Sequence, residues 1–222
     1  MKDMDKNTKE QEEIYYTVKR IIKSTHGRTF CITSSLGTEF EMLVSEEQYE
    51  RFDIEEGEMI GDAHFLKIRE EMLFDNARRQ AFNILSFGEN NKRSLVDKLH
   101  KKGFSYELCE KIAIYMENRG YIDEKKQISM LCDTYLKKKF GKIKIINELV
   151  IKGYKRDEVM AYVQNDLNDI NYAENCAYII SHKYIPFPTD PESIKKMMGA
   201  LMKYGYSIAE IKEALRICSQ KE

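Results

Sequence analysis

Three blocks of this chain repeat one pattern of apolar and polar positions. Leu95, Val96 and Leu99, then Ile145, Ile146 and Leu149, then Met197, Met198 and Leu201 stand eight, seven and four residues ahead of Gly103, Gly153 and Gly205. Cys109, Val159 and Ile211 stand six residues after the same glycines, which are themselves 50 and 52 residues apart. Four registered apolar sites in three blocks make an internal repeat. Offsets of eight, seven and four follow helical spacing, so each block predicts an amphipathic helix ending at its glycine. Gly103, Gly153 and Gly205 are then the left-handed residues past a helix end, where a Cβ is penalised. A second helix is expected within two or three residues. Ser105 and Ser207 are good N-caps, Ser207 with Glu210 forms a capping box, and Lys155 is a poor cap.

Helical runs also precede the frame. Asn76 to Phe87 and Lys126 to Leu136 carry Ala81 and Leu131, each 22 residues ahead of its glycine, and Ala173 to Ser181 matches them in the third block. Each repeat is therefore three short helices. The third is lengthened by about six residues at Ile185 to Pro191, where all three prolines of the chain fall and fix one stiff loop.

The chain ahead of the repeats has a different texture. Ile14 to Lys23, Arg28 to Leu36 and Thr38 to Val44 are rich in β-branched and aromatic residues, with turn material at Ser24-Thr25-His26-Gly27 and at Gly37. They predict a three-stranded meander. Ser45 with Gln48 predicts a capping box on a short helix through Phe52, then a turn at Gly57 and one long helix from Asp62 to Phe87. The expected fold is mainly α: three tandem three-helix repeats in an elongated curved array, preceded by a small β-rich N-terminal segment. The expected divisions are a polar tail (1–13), the strand-rich segment (14–61), a linking helix with the first repeat (62–125), the second repeat (126–171) and the third (172–222).

Charge adds a surface to this scaffold. The whole chain is close to neutral, but residues 1–75 carry minus 8 and residues 76–153 carry plus 8. Lys137, Lys138, Lys139, Lys142 and Lys144 crowd one helix end and the next helix start. They form either a positive face for an anionic partner or a solvated face answering the helix dipole. Phe140 interrupts the run and Tyr121 follows Gly120 at the first repeat junction; aromatics among basic residues suit single-stranded nucleic acid or a protein groove, and inter-repeat packing is the other reading. Glu148 is placed to pair with Lys144 or Lys152 at helical spacing. At 42% hydrophobic and 33% charged residues, with no long apolar run, the composition is that of a soluble, cytoplasmic chain. Five cysteines without a CxxC pair read as reduced thiols on apolar faces.

Candidate chemistry is sparse. His26, His64, His100 and His182 lack partners at metal-ligand spacing, so no metal or cofactor is expected. Gly141-Lys142 lacks the earlier glycine of a phosphate loop, since Leu136 stands there, and Ile143 replaces the magnesium-binding Ser or Thr. No nucleophile elbow appears and no catalytic residue is assigned.

With these residues in place, the chain resembles the bacterial RecX regulatory proteins. The likeness rests on Gly120-Tyr121-Ile122-Asp123-Glu124 at the first junction and on the run from Gly141-Lys142-Ile143-Lys144 through Asn147-Glu148-Leu149 to Lys152-Gly153. It covers residues 76–217 well and extends to the strand-rich leader at 14–60. The resemblance implies a non-enzymatic, monomeric modulator of the RecA recombinase in DNA repair, recombination and the SOS response. Such a protein lodges in the groove of the RecA filament on single-stranded DNA and restrains its ATPase, strand-exchange and co-protease activities. It also implies partner-binding roles for Lys142, Lys144, Lys152, Glu148 and Tyr121. At Lys144 the family often has arginine, whose two-pronged contact lysine does not reproduce, and at Lys142 proline is common. A different reading of the residues is a helical-repeat module that binds DNA phosphates, weakly or in its own right, without RecA.

Overall fold

The computed structural model describes residues 13–25 and 27–220; the expected polar tail up to residue 12 and His26 lie outside them. Within the helix Asp62–Ser86 the chain divides into two compact units, one through Phe82 and one from Asn83 onward.

The first unit is built on a four-stranded antiparallel sheet of β1 (Tyr15–Ser24), β2 (Gly27–Ser34), β3 (Glu39–Val44) and β4 (Met59–Gly61), in the order β3-β2-β1-β4. The first three strands are the expected meander. The fourth corrects the three-stranded expectation: β4 is three residues long, too short to show alternation, and pairs Ile60 with Tyr16. Val18, Phe30, Ile32, Met42 and Val44 are buried together in one core. The long helix α2 (Asp62–Ser86) brings Phe65 and Ile68 to that core, with the Phe65 ring stacked on Tyr16 at 3.7 Å. Before it, α1 (Glu46–Phe52) carries both capping-box bonds: Gln48 N–H donates to Ser45 Oγ (3.2 Å) and Ser45 N–H to Gln48 Oε1 (2.9 Å).

The second unit is helical. After the end of α2 come α3 (Lys92–His100), α4 (Tyr106–Asn118), α5 (Glu124–Lys137), α6 (Lys142–Ile151), α7 (Arg156–Asn165), α8 (Tyr172–Lys183), α9 (Pro191–Lys203) and α10 (Ile208–Ser219). The repeat frame is visible residue by residue. Leu95, Leu99 and Cys109, then Ile145, Leu149 and Val159, then Met197, Leu201 and Ile211 are all buried, while Val96, Ile146 and Met198 are half-buried. Gly103, Gly153 and Gly205 have φ of 95°, 102° and 94°. Each ends its helix with a bond from the residue after the glycine to the carbonyl five back, as in Tyr154 N–H to Leu149 O (3.2 Å) and Tyr206 N–H to Leu201 O (3.3 Å). Ser105 and Ser207 cap α4 and α10, and Lys155 makes no side-chain cap.

What joins the trios is the carbonyl that caps the middle helix. Asn91, the N-cap of α3, donates its side-chain amide to the Lys152 carbonyl at the end of α6 (2.8 Å). Gly141, in the same register one repeat later, donates its backbone N–H to the Tyr204 carbonyl at the end of α9 (2.8 Å), and Ile143 N–H reaches Gly205 O (3.2 Å). The positive start of one helix thus sits on the negative end of the next trio's helix. At Gly141 the backbones approach so closely that a Cβ would overlap the Gly205 carbonyl, although φ there is −73° and would admit any residue.

Three tyrosines fill the core behind these junctions. Tyr154 OH donates to Gln127 Oε1 (3.0 Å) and Tyr206 OH to the Lys139 carbonyl (2.6 Å), while the buried Tyr172 hydroxyl has no hydrogen-bond partner among the described residues. Burial pushes Tyr154 and Tyr172 up to about 12, and Tyr206 higher still. Cys109, Cys132 and Cys176 are buried free thiols, with Cys132 and Cys176 pushed by burial to about 12; Cys31 and Cys218 are half-buried. No helix among the described residues is long and apolar enough to cross a membrane.

The packing around each glycine sets the cost of adding a side chain. Gly103 has open space around its Cβ position, so Gly103→Ala should cost only the left-handed backbone term of about 1 kcal/mol. Gly141→Ala, with an unstrained φ, should cost about 3 kcal/mol by forcing the junction apart. Urea unfolding measures both, and a wild-type midpoint for Gly141→Ala would contradict the close approach. Removing an unpartnered buried hydroxyl should make Tyr172→Phe more stable than the parent by about 1 kcal/mol, whereas Tyr206→Phe should lose about as much. Folded-state values above the unfolded one mean that ionisation of these tyrosines costs the fold nothing below about pH 10 and destabilises it as pH rises toward 12. An alkaline unfolding midpoint in Tyr172→Phe no higher than the parent's would count against that.

Candidate partner-binding surface

The turn between α5 and α6 concentrates the surface charge. Lys138 caps α5, and Lys139 follows in the left-handed conformation at φ 58°, a state that lysine adopts at a cost and that the surroundings must hold in place. Several bonds do so. Lys139 N–H donates to Leu136 O (2.8 Å), its carbonyl accepts from Tyr206 OH, and its ammonium donates to Asn175 Oδ1 on α8 (2.7 Å) while lying 5.2 Å from the Tyr178 ring.

One turn further, Lys144 folds back over Phe140 (4.0 Å) and Tyr204 (5.2 Å). Phe140 itself packs on Tyr135 and edge-on against Tyr204. Lys183, at the end of α8, lies 4.6 Å from the same Tyr204 ring and donates to its hydroxyl at 2.7 Å. The Lys183 hydrogen bond and charge hold Tyr204 below the usual tyrosine range. Two ammonium groups therefore share one aromatic ring, an arrangement worth about 0.5–1 kcal/mol per contact at such exposure.

The nine candidate residues separate into four groups. Lys139, Phe140 and Lys144 are the ones that come together with residues of the third trio. Lys137 and Lys138 are exposed beside them, with Lys142 half-buried at the start of α6. Glu148 and Lys152 lie farther along α6, and the Glu148 charge adds to the burial that raises Tyr135. Lys144 turns to the aromatic rings instead of pairing with Glu148. Tyr121 is exposed in the α4–α5 turn, at the opposite end of α5, about 20 Å away along a 14-residue helix. Sequence reasoning missed Tyr204 and Lys183. Tyr204 occupies the place held by Lys102 and Lys152 in the other repeats, and that change from lysine to aromatic was the available signal.

Known proteins share this scaffold, although no protein-family model matches the chain. The chain is 20% identical over 200 residues to the regulatory protein RecX of Caldanaerobacter subterraneus subsp. tengcongensis, covering 90% of this chain and 98% of that protein. It is 22% identical over 146 residues to the regulatory protein RecX of Clostridioides difficile (strain 630), covering 65% and 68%. Over most of its length the chain resembles RecX regulatory proteins. Two solved structures share the RecX fold: a regulatory protein RecX with a TM-score of 0.62 at 16% identity, covering 89% of this chain and 99% of that one, and RecX from Lactobacillus salivarius with a TM-score of 0.58 at 14% identity, covering 67% and 97%.

The geometry separates lysines that serve the fold from those that do not. Lys138→Gln should leave unfolding free energy within about 0.5 kcal/mol of the parent. Lys144→Gln should cost about 1 kcal/mol through its lost ring contacts. Equal urea midpoints for the two variants would show that the aromatic contacts of Lys144 contribute nothing.

Proposed function

We propose that the protein is a cytoplasmic, monomeric regulator that binds the RecA filament on single-stranded DNA, lodges in its helical groove and restrains ATP hydrolysis, strand exchange and co-protease activity without catalysing a reaction itself. The observation that carries this reading is the extent of the likeness to a RecX protein, which runs through 90% of the chain and nearly all of that relative. The physical arrangement supports it. Repeated helix trios, each packed on its neighbour, offer a surface suited to following a helical filament, and the basic turn between α5 and α6 offers charge for it. Lys137, Lys138, Lys139, Lys142 and Lys144 supply that charge, Phe140 and Tyr121 the aromatic contacts, and Glu148 and Lys152 the remaining polar ones.

A steady-state titration of DNA-dependent RecA ATPase tests the reading. Turnover should fall as the protein is added, with no hydrolysis by the protein alone; unchanged RecA turnover with no complex formed would sink it. Replacing the five lysines of the α5–α6 turn by Gln should weaken filament association strongly at low salt, and less as salt rises, because charge steering is screened. Filament binding equal to the parent's at low salt would make the lysine run a solvated face. The plus 8 of residues 76–153 favours a second reading, direct binding to DNA phosphates. Salt-sensitive binding to an oligonucleotide without RecA, at the same affinity as to the filament, would select it.

A further inference from the structure

The two junctions between the helical trios occupy the same register and are built from different bonds. At the second junction Gly141 and Ile143 donate backbone N–H groups to the Tyr204 and Gly205 carbonyls, and the Tyr206 hydroxyl reaches across to the Lys139 carbonyl. Among the described residues, no backbone-to-backbone hydrogen bond crosses the first junction. Asn91 stands where Gly141 does and bonds through its side chain, and Tyr154 stands where Tyr206 does and donates to Gln127 of its own trio. The other bonds across the first junction also hang on side chains. Lys92 N–H donates to Glu124 Oε1 (2.7 Å), Lys92 Nζ lies 3.7 Å from Glu124 Oε2, and Gln127 Nε2 donates to the Asn90 carbonyl (3.3 Å).

The cores differ in the same sense. Apolar packing runs unbroken from Ile128, Cys132 and Ile145 of the second trio to Cys176, Met197 and Leu201 of the third. Leu95, Leu99, Ile112 and Met116 are buried in the first trio and are not part of that core. Polar side chains meet at the first junction instead: Asn90, Asn91, Glu124 and Gln127, the four buried polar residues among those described in the second unit, all lie there. Separating an apolar interface costs in proportion to the area it wets, whereas water replaces most of what amides and carboxylates lose. The Glu124–Lys92 pair adds little to that balance, because its attraction is offset by desolvation. In a repeat array each interface contributes its own stability, so the weaker one opens by itself. The covalent link across it is the short α4–α5 turn, where Gly120 sits at φ 78°.

We propose that the first junction is a hinge: α3 and α4 of the first trio swing as a body about the α4–α5 turn, while the second and third trios move as one. The inference rests on packing within the second unit and goes beyond the RecA reading, and its test uses neither RecA nor DNA. The basic α5–α6 turn takes its ring and amide contacts from the second and third trios, so it keeps its geometry as the first trio moves.

The amides that cross the junctions supply the readout. Lys92 N–H at the start of α3, and Gly141 and Ile143 N–H at the start of α6, have no partner within their helices, so their protection from hydrogen exchange depends on the junctions. In the full parent chain, NMR should give Lys92 a protection factor about tenfold or more below those of Gly141 and Ile143. Residual dipolar couplings test the motion itself: the alignment tensor fitted to α3 and α4 should be smaller in magnitude than the one shared by α6, α7, α9 and α10. Asn91→Ser keeps an N-cap oxygen for α3 but loses the amide that reaches Lys152. It should lower Lys92 protection further, and leave Gly141 and Ile143 within about twofold of the parent. One tensor of equal magnitude for all these helices would overturn the proposal, even with fast exchange at Lys92, because only the helix start would then be opening. Lys92 protection equal to that of Gly141 and Ile143 would overturn it as well. So would an Asn91→Ser variant in which all three amides lose protection together, since the trios would then open as one.

Discussion

A helix cannot satisfy its last carbonyls from within, and in this protein the carbonyl that caps the middle helix of a trio is claimed by the preceding trio. Asn91 takes the Lys152 carbonyl through its side chain; Gly141 takes the Tyr204 carbonyl through its backbone. The same register therefore makes two versions of one bond, one with a side chain between the backbones and one without. Losing the side chain brings α6 directly against the end of α9, which is why Gly205 and Gly141 meet with no room for a Cβ on either. Each trio is positioned by the next through an oriented contact, so a surface that draws on two trios can be held with defined geometry.

The α5–α6 turn draws on two trios in this way. Lys139 and Lys144 stand one on each side of Gly141, and the close approach presses both onto the third trio, where Asn175, Tyr178 and Tyr204 meet them. These lysines hold charge in fixed places. Lys137 and Lys138 hold theirs on exposed, rotamer-rich side chains, which suits steering more than specific contact. A left-handed lysine at position 139 has a conformational cost of about 1–2 kcal/mol, offset by the three hydrogen bonds that its backbone and ammonium make.

The elements that proved legible in the sequence are those whose causes are local. Gly103, Gly153 and Gly205 announce themselves because a helix end needs positive φ, and Ser45, Ser105 and Ser207 because an N-cap needs a side-chain oxygen. Burial of Leu99, Leu149 and Leu201 is written in the helical period. Features with distant causes were hidden. Gly141 looked like the remnant of a phosphate loop, because its actual constraint is a carbonyl on another trio. Nothing in a lysine marks position 139 as left-handed. The fourth strand is too short to alternate, and the prolines after α8 announced a stiff loop without showing that it would wall a groove. At the candidate surface, charge was legible and engagement was not: the sequence cannot separate Lys144, spread over two rings, from Lys138, which faces water.

The proposed role joins this two-trio surface to filament regulation, and a helical cryo-electron-microscopy reconstruction of the protein on a RecA filament with single-stranded DNA tests it most directly. The account predicts density for the helical trios within the filament groove, with the α5–α6 turn from Lys137 to Lys144 facing RecA and the Gly141–Gly205 junction unchanged. A reconstruction in which that turn faces solvent, or in which the trios separate at Gly141, would contradict it.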